Sequence, residues 1–182
     1  MPRVLVPLAP GFEDLEATTI VDLLRRAGVE VITAGLEPGL VEGARGMRVQ
    51  PDAALADVCT QSFDMIALPG GMPGAENLKN DARIQTLLKQ HASAGKFTAA
   101  ICAAPIALAA AGVLFNKRAT SYPGFLDSLS LPGTTYVTEA VVVDGKVVTS
   151  RGPGTAMDFA LTLVELLVGQ EKRNQVEVGL CR

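Results

Sequence analysis

An α/β fold built on a mostly parallel sheet is the class this sequence predicts, and three observations carry the prediction. Short continuous apolar runs such as Arg3 to Leu8 and Met65 to Leu68 have the length and aliphatic content of strands buried on both faces. Between them lie longer segments whose apolar residues recur at helical spacing. Glycine and proline punctuate the junctions, so strand and helix alternate along the chain as they do in βαβ units.

Taken in order, Arg3 to Leu8 is the first strand. After the Pro10-Gly11 turn, Glu13 to Ala27 carries Leu15, Thr19, Leu23 and Leu24 at helical spacing, and Gly28 stops that helix. Val29 to Ala34 reads as a second strand, and Gly35 to Pro51, rich in glycine and proline, as a loop with an extended arm. Met65 to Leu68 runs into the loop PGGMPGAEN, Ala82 to Ala94 is helical, and Gly95 ends it. A strand then leads to Cys102, with an alanine-rich helix after it. Tyr136 to Val143 and Lys146 to Ser150 flank Asp144-Gly145, which predicts a β-hairpin and an antiparallel part of the sheet near the C-terminal end. Gly154 to Val168 is a heavily apolar, buried helix. No repeat, low-complexity block or linker divides residues 1–182. The expectation is a single-domain, flavodoxin-like sandwich with helices on both faces and its ligand site at the carboxyl ends of the strands.

A chain of 182 residues can bury a full core, and 48% hydrophobic with only 4% aromatic content assigns the packing to Ala, Val, Leu and Ile. The net charge of −3 and the lack of a basic cluster argue against a nucleic-acid or anionic-membrane surface, leaving small molecules and protein surfaces as partners. No apolar run reaches bilayer length, and MPRVLVPLAP lacks the features of a secretory leader, so a soluble, cytoplasmic protein is expected. Cys59, Cys102 and Cys181 are too few and too far apart for a disulfide framework and are read as free thiols. His91 is the single histidine and no close cysteine pair exists, so no metal site is expected.

The chemistry concentrates on KFTAAICAAPIALAAA, which places Cys102 at the seam between a strand and a helix former. Unpaired N–H groups and the positive end of the dipole at a helix N-terminus favour a thiolate. Pro105 suits the first helical turn, and the small Ala103 and Ala104 permit close approach of backbone and substrate. Packing alone accounts equally well for a buried cysteine at this place.

Three loops leave the carboxyl ends of neighbouring strands and are expected to meet: Ala9 to Glu16, Pro69 to Asn77, and the turn at Cys102. Glu13 and Asp14 read as helix N-terminal acids that complement the dipole, whereas Glu16, deeper in the helix, has a direction that allows it to face the thiol. Gly70, Gly71 and Gly74 match neither GxGxxG nor GxxxxGK spacing. Gly71 and Ala103 can instead offer N–H groups to an oxyanion, with a plain tight turn as the equal alternative.

GFEDLEA, LPGGMPGAENL, AAICAAP and TSRGPGTAMDFAL resemble, in order and spacing, the motifs of the ThiJ/PfpI family, in its YajL-like branch. The resemblance covers nearly the whole chain. It implies Cys102 as nucleophile, Glu16 as carboxylic partner, and Gly70, Gly71 and Ala103 around the reacting group. It also implies Arg45, Arg151 and Tyr122 near the pocket, and a homodimer whose interface includes the first helix and Arg26. Where other branches carry a histidine after the nucleophile, this chain has Ala103, and Tyr122 stands where another histidine occurs. His91 is placed on an exposed helix end, away from the site. Peptidase and amidotransferase readings are therefore disfavoured. The activity implied is a cofactor-independent one on reactive dicarbonyls or glycated adducts, of the glyoxalase or deglycase kind, with an oxidative-stress sensor or redox-regulated chaperone using the same cysteine as the alternative. Cys102 is expected to be the most reactive thiol, ahead of Cys59 and Cys181.

Overall fold

The computed structural model describes Met1–Arg182. Its strands are β1 (Arg3–Leu8), β2 (Glu30–Gly35), β3 (Val41–Glu42), β4 (Arg48–Val49), β5 (Ala53–Ala54), β6 (Met65–Leu68), β7 (Phe97–Ile101), β8 (Arg118–Ala119), β9 (Thr135–Tyr136), β10 (Val141–Asp144) and β11 (Val147–Ser150). Its helices are α1 (Asp14–Arg26), α2 (Leu55–Val58), α3 (Gly74–Asn80), α4 (Ala82–Ser93), α5 (Pro105–Ala110), α6 (Ala156–Val168) and α7 (Gln170–Gly179).

The central sheet has the order β10-β11-β7-β6-β1-β2-β5. Every pairing in it is parallel except β10 with β11. Val4, Leu5 and Val6 are wholly buried, as are Met65 to Leu68, which is why these strands read as continuous apolar runs rather than alternating ones. Helix α1 packs on α6, which rests on β11, while α3, α4 and α5 pack with one another against β6 and β7. The layers are therefore the predicted sandwich. From β1 the chain crosses to β2 on one side, and from β6 to β7 on the other, so the connections diverge between β1 and β6. A crevice opens at that switch point, at the carboxyl ends of the strands.

The hairpin at Asp144-Gly145 forms with Val141↔Ser150 to Asp144↔Val147 in register. The longer strand expected from Tyr136 does not. Thr135–Tyr136 pairs with β8 instead, because Val137 N–H donates to Ala119 O and Ala140 O is taken by Arg151 N–H and the Ser150 hydroxyl. The loop read through Asn77 becomes α3 from Gly74 onward, its first turn tied down by Gly74 N–H to Gly11 O and Ala75 N–H to Gly71 O. Helix α7 had no apolar stripe to announce it, since only Val176 is buried along it. Helix α5 begins at Pro105, three residues beyond the thiol, rather than at it.

His91 is a further correction. It is not on an exposed end: only 6% of it is accessible, because Ile84, Leu87, Leu88 and His91 form one buried stripe of α4. No helix is long and apolar enough to cross a membrane.

Candidate active site

Three strand ends deliver the residues of the site. The loop after β1 enters α1, whose third residue, Glu16, is wholly buried. The loop after β6 carries Gly70 and Gly71, and β7 ends one residue before Cys102. The first two are clasped together. Glu13 N–H donates to Gly70 O at 2.8 Å, and Gly70 N–H donates to Glu16 Oε2 at 2.8 Å.

The paired glycines are steric requirements. A Cβ on Gly70 would stand 2.6 Å from the Cys102 Cβ and 2.8 Å from Glu16 Oε2, and a Cβ on Gly71, whose φ is +89°, would stand 2.3 Å from Glu13 N. All three contacts are shorter than atoms tolerate. Cys102 itself has φ 64°, in the left-handed region, and is held there by its N–H donating to Ser150 O at 3.0 Å and its carbonyl accepting Tyr122 N–H at 2.8 Å. Such backbone is disfavoured for a side chain with a Cβ and persists where surrounding bonds over-determine it.

The electrostatics differ from the helix-terminus expectation. Burial pushes the Cys102 thiol up to about 12, and the neighbouring Glu16 adds to this through its charge and its hydrogen bond. The N–H groups of Gly71 and Ala103 work in the opposite direction at the sulfur, and neither has an oxygen acceptor elsewhere. A helix of six residues whose first turn lies beyond the thiol supplies too little to reverse the balance. Burial likewise raises Glu16 to about 7, against the lowering effects of Gly70 N–H and Cys102, with the charge of Glu13 adding to the rise. Glu16 Oε1 is buried without a partner at ordinary hydrogen-bond geometry, so its contact with the thiol is a loose one. The two groups form a coupled pair: one proton leaves it near 7 and the second only near 12.

A cavity of about 400 Å³ opens over this pair, and Gly71, Cys102, Ala103, Tyr122 and Arg45 line it. Gly70 lies beneath, between thiol and carboxyl. Arg45 sits at the mouth, its side chain 77% exposed and 3.8 Å from Glu13 Oε2. Arg151 is not in the wall; its backbone N–H donates to Ala140 O. Arg26 pairs with Asp22 on the surface of α1 at 2.7 Å.

Several contributors escaped the reading of the sequence. Glu13, taken there as a helix-end acid, gives its side chain to the cavity wall. Asp14 accepts Arg45 N–H and Met47 N–H, both at 2.8 Å, and so pins the loop that brings Arg45 to the mouth. Phe125 also lines the cavity, edge-on to Tyr122 with ring centroids 6.3 Å apart. The motif SYPGF, with two rings flanking a turn, was the available signal.

Comparison with known proteins shows the family. The sequence pattern of the DJ-1/PfpI family matches residues 2–166. The chain is 43% identical over 175 residues to protein DJ-1 homolog A of Arabidopsis thaliana, covering 95% of this chain but only 45% of the plant protein; it thus spans less than half of that relative. It is 40% identical over 169 residues to the glutathione-independent glyoxalase DJR-1.2 of Caenorhabditis elegans, covering 93% of this chain and 90% of the nematode protein. The structure of oxidized Toxoplasma gondii DJ-1 superposes with a TM-score of 0.94 at 39% identity, over 100% of this chain and 98% of the other. With the family pattern matched over residues 2–166 and the nematode relative 40% identical over 90% of its own length, the chain belongs to the DJ-1/PfpI family.

Proposed function

We propose that this protein is a cofactor-independent thiol enzyme that acts on reactive dicarbonyls, with conversion of methylglyoxal to lactate as its reaction. The observation that carries this reading is a carboxyl with a pKa of about 7 beside a thiol that has two unbonded N–H groups at its sulfur. A proton shuttle works best when both its forms are populated at the working pH, and Glu16 meets that condition.

In the proposed sequence the Cys102 sulfur attacks the aldehyde carbon, forming the S–C bond, and the aldehyde oxygen gains the thiol proton to give a hemithioacetal. Ionised Glu16 removes the proton on that carbon, giving an enediol, and returns a proton to the adjacent carbon, which leaves a thioester. Water then cleaves the thioester into lactate and free thiol, so methylglyoxal plus water becomes lactate with no external reductant or oxidant. Gly71 and Ala103 N–H hold the negative charge that builds at sulfur or oxygen. Deglycation of early adducts on Cys, Lys or Arg side chains begins with the same attack.

The relative named as a glutathione-independent glyoxalase supports this reading. Purified protein without added metal or thiol, incubated with excess methylglyoxal, is expected to release many equivalents of lactate. Cys102→Ala is expected to release none. Lactate at one equivalent or less from the unmodified protein would refute the enzymatic reading.

A second reading has its own support. The same N–H groups, with Glu16 as donor, suit the oxygens of a cysteine sulfinate, and one relative was solved in an oxidized form. In that case two equivalents of peroxide oxidise the Cys102 thiol through the sulfenic to the sulfinic acid, each giving one oxygen and leaving as water, and the modified protein, not turnover, carries the function.

We also place a homodimer interface on α1. Leu15 and Met47 are about half exposed there, beside a cleft of about 290 Å³ lined by Ala17, Val21 and Val49. Apolar surface of that kind seeks a partner.

A further inference from the structure

A cavity larger than the one over Cys102 lies elsewhere in the molecule. It is a groove of about 710 Å³ between α4 and the segment that follows α2, and no aspartate or glutamate lines it. Its lining does include Arg83 and Lys96, so a chain of net charge −3 presents one basic, acid-free cleft.

The two cations differ. Arg83 is neutralised by Asp81 at 2.6 Å and Glu37 at 3.2 Å. Lys96 enters no ion pair in the chain; its Nζ is held by two neutral acceptors, Ser62 Oγ at 2.8 Å and Phe63 O at 2.7 Å. That arrangement leaves the third ammonium N–H uncommitted. It also leaves the Ser62 hydroxyl free to donate, since its oxygen accepts from Lys96 and its proton has no acceptor. Gln90 adds an exposed amide without a partner at the same end of the groove.

Beside them sits His91, buried, with Nε2 lacking a hydrogen bond of ordinary geometry. Burial and the ammonium of Lys96 hold its imidazole below the usual range, while the nearby carbonyls of Leu87 and Phe63 and the charge of Asp64 act the other way. Cys59 and Arg83 complete the titratable groups on this groove. The mechanism uses none of them.

We propose that the Lys96–His91 end of this groove binds an anionic group, a carboxylate or a phosphate, and that binding is coupled to protonation of His91. Lys96 Nζ, the Ser62 hydroxyl and the Gln90 amide each keep a donor without a protein acceptor, and no carboxylate pairs with the ammonium. An anion seated between Lys96 and His91 offsets the ammonium that disfavours the imidazolium. By linkage it raises the His91 pKa and binds more tightly as pH falls through that value.

Because the chain has one histidine, its imidazole Cε1–H resonance reports the site directly. Inorganic phosphate and acetate are titrated separately at constant ionic strength made up with sodium chloride. A saturable shift with one or both is expected, with the tighter of the two identifying the preferred group, and saturation is expected to raise the His91 pKa by about half a unit or more. Lys96→Gln is expected to weaken binding by about tenfold or more, and Ser62→Ala to weaken it less. In the anion-free state Lys96→Gln is expected to raise the His91 pKa. If Lys96→Gln fails to fold, Ser62→Ala and Gln90→Ala carry the test. Shifts that track sodium chloride, or affinity unchanged in every variant, would overturn the proposal.

Discussion

Glu16 Oε2 accepts the Gly70 N–H at 2.8 Å across 54 positions of sequence, and the same Gly70 leaves no space for a side chain between that carboxyl and the Cys102 Cβ. The bond therefore joins two of the three strand ends at the point where the third delivers its thiol. It also biases the carboxyl toward its charged form, against a stronger bias from burial in the other direction.

That opposition has a measurable consequence for stability. The folded pKa of Glu16, about 7, lies above its ordinary 4.5, so the native state binds the proton more tightly than the unfolded chain. The contribution is fully present below pH 4.5 and is lost as pH rises through 7, amounting to about 3 kcal/mol. Glu16→Leu is expected to abolish dicarbonyl turnover and yet to gain stability relative to the parent between pH 5 and pH 8. Urea unfolding at both pH values tests the sign, and an equal difference at both would show that Glu16 does not titrate in this window.

Gly70→Ala tests the steric argument. A Cβ at 2.6 Å from a side-chain carbon and 2.8 Å from a buried carboxyl oxygen cannot be absorbed by a flexible side-chain tip, because both neighbours are locked. The expected cost is about 1–3 kcal/mol of stability. Thiol and carboxyl move apart, and the rate is expected to fall by about a hundredfold or more, equivalent to roughly 3 kcal/mol. Ala75, equally buried nearby but outside the pair, provides the contrast: Ala75→Gly is expected to lower stability and spare turnover.

Much of this arrangement was legible in the sequence, for a physical reason. Strands buried on both faces write themselves as apolar runs, so Arg3–Leu8 and Met65–Leu68 were visible to the residue, and parallel order then brings their loops together. The thiol's electrostatics were not legible, because they depend on burial and on Glu16, which only the closed fold supplies. Asp14 looked like any first-turn acid, since its real partners, Arg45 and Met47, lie thirty residues away in a loop without a pattern. His91 was legible and misread: its spacing from Ile84, Leu87 and Leu88 is that of the buried stripe, and the polar residues after it concealed this.

Replacing His91 checks the site from outside. The residue does not line the thiol cavity, so His91→Ala is expected to leave kcat/KM for methylglyoxal within a few-fold of the parent. A loss beyond about tenfold, or roughly 1.4 kcal/mol of transition-state stabilisation, would place it in the machinery after all.

The last prediction concerns which thiol reacts, and at what pH. Cys181 is exposed, so in alkaline solution it is expected to alkylate at least as fast as the nearly buried Cys102, against the simple order expected from the sequence. The same order is expected near neutral pH. An ordinary thiol with a pKa near 8.5 loses about tenfold in thiolate for each unit of pH. Cys102 starts higher still, because burial and the charge and hydrogen bond of Glu16 push its thiol up to about 12. Iodoacetamide labelling followed by peptide mass spectrometry from pH 5.5 to 9 is therefore expected to show Cys102 trailing the exposed Cys181 throughout. In Glu16→Leu the charge and the hydrogen bond that raise the thiol are gone and only burial remains, so its profile is expected to move to lower pH. A Cys102 profile that moves to higher pH in Glu16→Leu would mean that the carboxyl stabilises the thiolate, and the opposition between the two groups read from the closed site would fall.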